Sequence, residues 1–200
     1  MKTVITGQLS TKIKQPVEKL LEKERNPIMH ILHTTPRTDG FCMPAEFDRH
    51  AGCLLIWPTR GDSWRSGGWP ARKAFAAVAA AIARSEEVTM LVAPEQYETA
   101  RAMLPPEVRL VEMETDDSWA RDVCPTFVRN AEGTVRGIDW GFNAWGGLVD
   151  GLYFPWDKDN HAARKVCDLY RADCYDSRDF ILEGGSIHSD GEGTILTTES

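Results

Sequence analysis

Glu112-Met-Glu-Thr-Asp-Asp-Ser-Trp-Ala-Arg-Asp122 packs a run of carboxylates, an indole, a guanidinium and a last carboxylate just ahead of Pro125 into one short stretch. Buried charge is costly and is normally kept only when paired. Asp116, Asp117, Arg121 and Asp122 around Trp119 are therefore either a solvated loop or a site for a cation, and acidic runs taken alone are usually solvated surface. Two features favour the site. The stretch follows an apolar, strand-like segment at 108–113, and strand ends are where α/β folds place their chemistry. A second stretch, Phe180-Ile-Leu-Glu-Gly-Gly-Ser-Ile-His188, repeats the design: a short apolar strand, one carboxylate (Glu183), then a Gly-Gly that lets backbone or ligand approach closely.

Working outward on the N-terminal side, residues 53–57 form a short apolar run that ends at Pro58, a buried strand. A Gly-rich polar loop with Trp64 follows. Pro70 opens a helix over 71–84 that sets Phe75, Val78, Ala79 and Ile82 on one face. Residues 88–92 are a second strand, and a second helix runs from Pro94 to Leu104, closed by Pro105-Pro106. On the C-terminal side, 126–128 and 135–140 read as a hairpin around 130–133. A Gly- and Trp-rich loop spans 143–151, Asp157 is a candidate N-cap for a helix over 158–170, 180–182 is a strand, and 187 with 194–198 forms a hairpin around Asp190-Gly-Glu-Gly193. Residues 38–47 are loop. Element order alone suggests one open α/β sheet.

Two hundred residues suffice for one domain with a sizeable core. The net charge of −7 disfavours a nucleic-acid partner, which needs a basic surface, and is compatible with a cationic ligand. No apolar run reaches membrane-spanning length, and the N-terminus has no apolar core followed by a small-residue cleavage site; no membrane partner and a cytoplasmic location are expected. Cys42, Cys53, Cys124, Cys167 and Cys174 are scattered, with no Cys-x-x-Cys spacing, and read as reduced and not metal-binding. Residues 1–28 differ from the rest, with six Lys/Arg against three Glu and a short helix at 16–24. They read as a tail or extension, with Met29 an alternative start; a basic recruitment helix is the other reading.

Trp119-Ala-Arg-Asp122, Trp140-Gly-Phe-Asn-Ala-Trp-Gly-Gly147, Tyr153-Phe-Pro-Trp-Asp157 and Leu182-Glu-Gly-Gly-Ser-Ile-His188 together resemble the agmatine deiminases. These belong to the guanidine-modifying (pentein) superfamily, with the arginine deiminases and bacterial peptidylarginine deiminases. The resemblance runs from about Asp39 to Glu199, so 1–28 lie outside it and 29–200 form an incomplete domain of that type. It implies a fold other than the open sheet: a five-bladed α/β propeller, of which these residues supply about the first two to three blades.

The resemblance also implies the chemistry. A guanidinium is a planar fork of N–H donors that carboxylates on either side hold bidentately. The family's two positions of this kind here are Asp122 and Glu183, with Trp119 packing on the substrate's alkyl chain. Arg121 is expected to pair with a carboxylate. A cysteine thiolate attacks the guanidinium carbon, ammonia leaves, and water hydrolyses the amidino-thioether. That nucleophile and a His-x-Asp pair are not found in this sequence. His188-Ser-Asp190 has the form, but belongs to the Ser-Ile-His stretch. Cys124 stands where the family usually has glycine, and remains a conceivable substitute nucleophile. No cofactor or metal is implied. The substrate is expected to be agmatine, giving N-carbamoylputrescine and ammonia, and the full-length form could be a homo-oligomer. The 200 residues by themselves are expected to be inactive and poorly soluble. The alternatives are a non-catalytic guanidinium-binding remnant and a peptidylarginine deiminase-like enzyme.

Overall fold

Residues 29–198 are described by a computed structural model, in which β-strands and helices build three separate small sheets. The first follows the alternation read from the sequence. Strands β2 (Cys53–Ile56), β3 (Val88–Val92) and β4 (Arg109–Glu112) are all parallel, with β3 central. Helix α1 (Trp69–Ile82) connects β2 to β3, and α2 (Tyr97–Met103), entered through a 3-10 turn at Pro94–Gln96, connects β3 to β4. All five residues of β3 are buried. Val88, Met90 and Val92 face a core shared with Ala79 of α1 and Ala100 of α2, whereas Leu91 faces a second core with Val123, Phe142, Tyr153 and Val166. A strand buried on both faces reads as a near-continuous apolar run, as this one does with Thr89 its one polar residue.

Helix α1 starts two residues earlier than expected, with Pro70 in its first turn and Gly68 as N-cap in the left-handed region at φ 80°. Val78, placed on the apolar face by its spacing, is 49% exposed; the packed face is Phe75, Ala76, Ala79, Ile82 and Ala83.

The second sheet has the order β1-β7-β6-β5. The antiparallel pair β5 (Thr126–Arg129) and β6 (Val135–Gly141) is the expected hairpin. From β6 the chain passes through the short helices α4 (Gly147–Asp150) and α5 (Ala162–Leu169) to β7 (Cys174–Ile181), which pairs parallel with β6. β1 (Ile31–Leu32) adds a parallel edge to β7. Helix α5 lies close on β6: a Cβ at Gly137 would meet the Cys167 sulfur at 2.3 Å. The third sheet is the hairpin β8 (Ile187–Ser189) and β9 (Ile195–Thr197).

The single open sheet suggested by element order is thus not formed. β7 is far longer than the strand expected at 180–182, because only Cys174 and Tyr175 are buried and the polar residues after them hide the pattern. Asp157 does not cap its helix; its carbonyl instead accepts from His161 Nδ1 at 2.6 Å, and the 3-10 turn that leads into α5 has Lys158 at its N-cap position. The expected helix at 16–24 lies outside the described residues. No helix among the described residues is long and apolar enough to cross a membrane.

Candidate active site

The acidic stretch leaves the end of β4 and turns through a single helical turn, α3 (Ala120–Val123). Three interlocked contacts shape it. Asp117 is fully buried and accepts four hydrogen bonds: Trp64 Nε1 at 2.7 Å, Trp119 Nε1 at 2.9 Å, and the backbone N–H and hydroxyl of Ser118. A buried carboxylate surrounded by donors is stable without a salt bridge. Asp116 and Asp159 then exchange bonds. Asp159 accepts the backbone N–H groups of Asp116 at 2.7 Å and Asp117 at 3.1 Å, while Asp116 accepts those of Lys158 at 2.8 Å and Asp159 at 3.4 Å. Tyr153 also donates its hydroxyl to Asp159. Burial pushes the Asp159 carboxyl up to about 6, against the downward pull of its hydrogen bonds, and burial with the Asp159 charge pushes the Tyr153 hydroxyl up as well.

Around this lock the aromatic residues pack on one another. Trp119 stacks on Trp64 with ring centres 5.5 Å apart and meets the edge of Trp145 at 5.2 Å. Trp145 meets Phe142 and Tyr153 edge-on. Tyr153 is buried, and the Arg60 guanidinium sits 4.6 Å from its ring centre. Much of this aromatic surface is therefore committed to holding Trp119 in place. Trp64 was the residue missed. Nothing in its polar, Gly-rich loop marks it as the partner of a carboxylate far along the chain.

Asp122 and Glu183 come from different elements and meet through the backbone. Asp122 Oδ1 accepts the Gly184 N–H at 3.0 Å, so Glu183 sits one residue from the group that Asp122 holds. Arg121 secures the same junction. Its Nε donates to the Gly184 carbonyl at 2.8 Å and a terminal nitrogen to the Ile187 carbonyl at 3.2 Å, while a terminal nitrogen pairs with Glu46 at 2.5 Å. The expected pairing of Arg121 with a carboxylate is found, with Glu46 as the partner. The two glycines divide the work. A Cβ on Gly184 would lie 2.2 Å from the Arg121 carbonyl oxygen, whereas one on Gly185 would meet nothing within 4 Å. Asp122 is half-buried and Glu183 exposed.

The two decoys have structural roles. Asp190 accepts the N–H groups of Glu192 and Thr194, which closes the β8–β9 turn and holds its carboxyl below the usual range. Burial, with the Asp159 charge, pushes the Cys124 thiol up to about 12, and the residue packs against the core beneath α3. A thiol so disfavoured as thiolate is a poor nucleophile.

Residues 42–200 match the sequence model of the Porphyromonas-type peptidyl-arginine deiminases. The chain is 58% identical to the agmatine deiminase of Pseudomonas fluorescens over 172 residues, which cover 86% of this chain and 47% of that one. With the agmatine deiminase of Pseudomonas aeruginosa it shares 57% identity over 167 residues, 83% of this chain and 45% of that one. Among solved structures, the agmatine deiminase of Enterococcus faecalis superposes with a TM-score of 0.83 at 50% identity, over 86% of this chain and 47% of that chain. The chain spans about half the length of the relatives it matches. The mixed α/β architecture is that of these enzymes, and a match over this much of the sequence, with Trp119, Asp122 and Glu183 inside the matched region, means that the chain belongs to the Porphyromonas-type peptidyl-arginine deiminase family.

Proposed function

We propose that this chain supplies the guanidinium-binding part of an agmatine deiminase. The observation that carries the reading is the Asp122–Gly184 hydrogen bond, which joins the Trp119–Asp122 turn to the Glu183 turn. Two carboxylates at one junction, beside a half-buried indole, suit a planar cation with N–H donors on both edges. Gly185, with open space where a side chain would stand, leaves room for the ligand to approach.

In the reaction proposed, Asp122 and Glu183 hold the guanidinium and Trp119 borders its alkyl chain. A cysteine thiolate then attacks the central carbon, ammonia departs, and water releases the ureido product N-carbamoylputrescine. The thiolate and the histidine that protonates ammonia are not assigned to any of residues 1–200. The three sheets would be the first two to three blades of a five-bladed propeller, residues 29–200 one part of that domain, and 1–28 an extension to it. The 57–58% identity to agmatine deiminases supports the free amine as substrate over a peptidyl-arginine.

Isothermal titration of the 200-residue protein with agmatine and, separately, with 1,4-diaminobutane isolates the guanidinium contribution. Tighter binding of agmatine that disappears in Asp122→Asn is the expected result. Equal affinity for the two amines would remove Asp122 from the assignment.

A further inference from the structure

His50, Cys53 and Glu86 converge at the start of β2, at the end of the first sheet opposite to the one from which the acidic stretch leaves. Gly52 makes this possible: a Cβ there would lie 2.9 Å from the Glu87 carbonyl, and with Gly in place the Cys53 N–H bonds that carbonyl at 2.8 Å. Cys53 is thereby held beside Glu86. The imidazole is fixed from its far side. His50 Nε2 lies 2.7 Å from the Glu46 carbonyl oxygen, which can only accept, so the proton of the neutral ring belongs on Nε2. That leaves Nδ1 as a bare acceptor 3.3 Å from Glu86 Oε2, itself a carboxylate oxygen sealed from solvent. Two lone pairs face each other, so the contact calls for a proton, on the ring or the carboxyl, or a metal ion between them.

We propose that His50 Nδ1, the Cys53 sulfur and Glu86 Oε2 form a zinc-class divalent metal site. One ligand atom from each of the three residues lies within 4.8 Å of the others. Around a tetrahedral zinc with bonds of about 2.0–2.3 Å, such atoms stand roughly 3.3–3.8 Å apart, so a small contraction closes the site and exposed His50 is free to make it. A nitrogen, thiolate and carboxylate set selects zinc over calcium or magnesium, which take oxygen ligands. A thiolate and a carboxylate also neutralise a divalent ion. The carbonyl that orients His50 is the outer partner expected of a metal-bound histidine. Burial, and then the Glu86 charge, hold the metal-free Cys53 thiol above its ordinary range, and coordination reverses this by deprotonating the sulfur. An open surface cavity of about 380 Å³, lined by Asp48, Arg49, His50 and Glu86 among others, gives the ion entry and leaves a fourth position for water. The site would pin the loop before β2 to the turn between α1 and β3, a structural use of metal.

The test is titration of the 200-residue protein with Co²⁺ and with Zn²⁺ alone. One equivalent of Co²⁺ with a thiolate-to-cobalt band in the near ultraviolet is expected, displaced by Zn²⁺. Cys53→Ser should abolish the band. His50→Gln, at an exposed position where folding is not at risk, should weaken Zn²⁺ binding by more than the roughly 10–100-fold typical of losing only an outer partner. Cys42→Ser should change neither. Absence of stoichiometric binding, a band that survives Cys53→Ser, or a band lost with Cys42→Ser would overturn the proposal.

Discussion

Under the proposed function Asp122 has two jobs that a substitution can separate. Its oxygen accepts the Gly184 N–H and its charge is available to a cationic ligand. Asp122→Asn keeps the acceptor and removes the charge. Unfolding free energy should change by less than about 1 kcal/mol, whereas a charge-assisted bond to substrate is worth about 1.5–3 kcal/mol, or roughly 10–150-fold in kcat/KM where the chain is part of an active enzyme. Urea unfolding and steady-state kinetics on one preparation check both halves; a large loss of stability would mean that Asp122 is structural only. The neighbouring glycines give a sharper contrast. Gly184→Ala drives a methyl into the Arg121 carbonyl and should cost about 1–3 kcal/mol, while Gly185→Ala should be nearly silent in stability. The motifs marked Asp122 and Glu183 as candidates, but which glycine serves the backbone was not legible, because that depends on Arg121 arriving from a distant part of the chain.

At the level of elements, the site rests on the exchange between the Asp116–Asp117 turn and the turn at Asp159–His161. Asp159 gives this lock a pH dependence. Its folded-state value of about 6 lies above the ordinary ~3.9 of an unfolded aspartate. Between roughly pH 4 and pH 6 the native state keeps a proton that the unfolded chain has released. The stabilisation is therefore present at low pH and lost as pH rises through that window, by about 3 kcal/mol. Asp159→Asn cannot titrate, so the stability of wild type relative to this variant should fall between pH 4 and 6.5; parallel pH profiles in urea unfolding would contradict the assignment. Strands β2, β3 and β4, helices α1 and α2 and the two hairpins were legible from period, proline and turn residues. The lock was not. Asp116 and Asp117 read as a solvated loop or a cation site, and sequence cannot show that they and Asp159 each accept backbone N–H groups. Likewise, α1 separates Glu86 from His50 and Cys53 in the sequence, and only the fold brings the three together.

For the whole molecule, the division into three sheets was not recoverable from element order, since strands alternating with helices suit one open sheet equally well. Family motifs, by contrast, pointed to the agmatine deiminases, and the mixed α/β fold matches that of the Enterococcus faecalis enzyme. Leu148, Val149, Leu152 and Phe154 stand 59–89% exposed in one short stretch after β6. Clustered apolar exposure promotes association, so the purified 200-residue protein should self-associate in light scattering, and Leu148→Ser with Val149→Ser should reduce it. No turnover of agmatine is expected from these 200 residues alone, with Cys124 half-buried and disfavoured as a thiolate. The most direct test of the central claim is a chimera. Residues 29–200 replace the matching segment of the Pseudomonas fluorescens relative, which contributes the rest of its own chain, and ammonia and N-carbamoylputrescine are measured from agmatine. Turnover that falls sharply in the Asp122→Asn chimera is the predicted result. A folded chimera that leaves agmatine untouched, or whose activity ignores Asp122→Asn, would contradict the account.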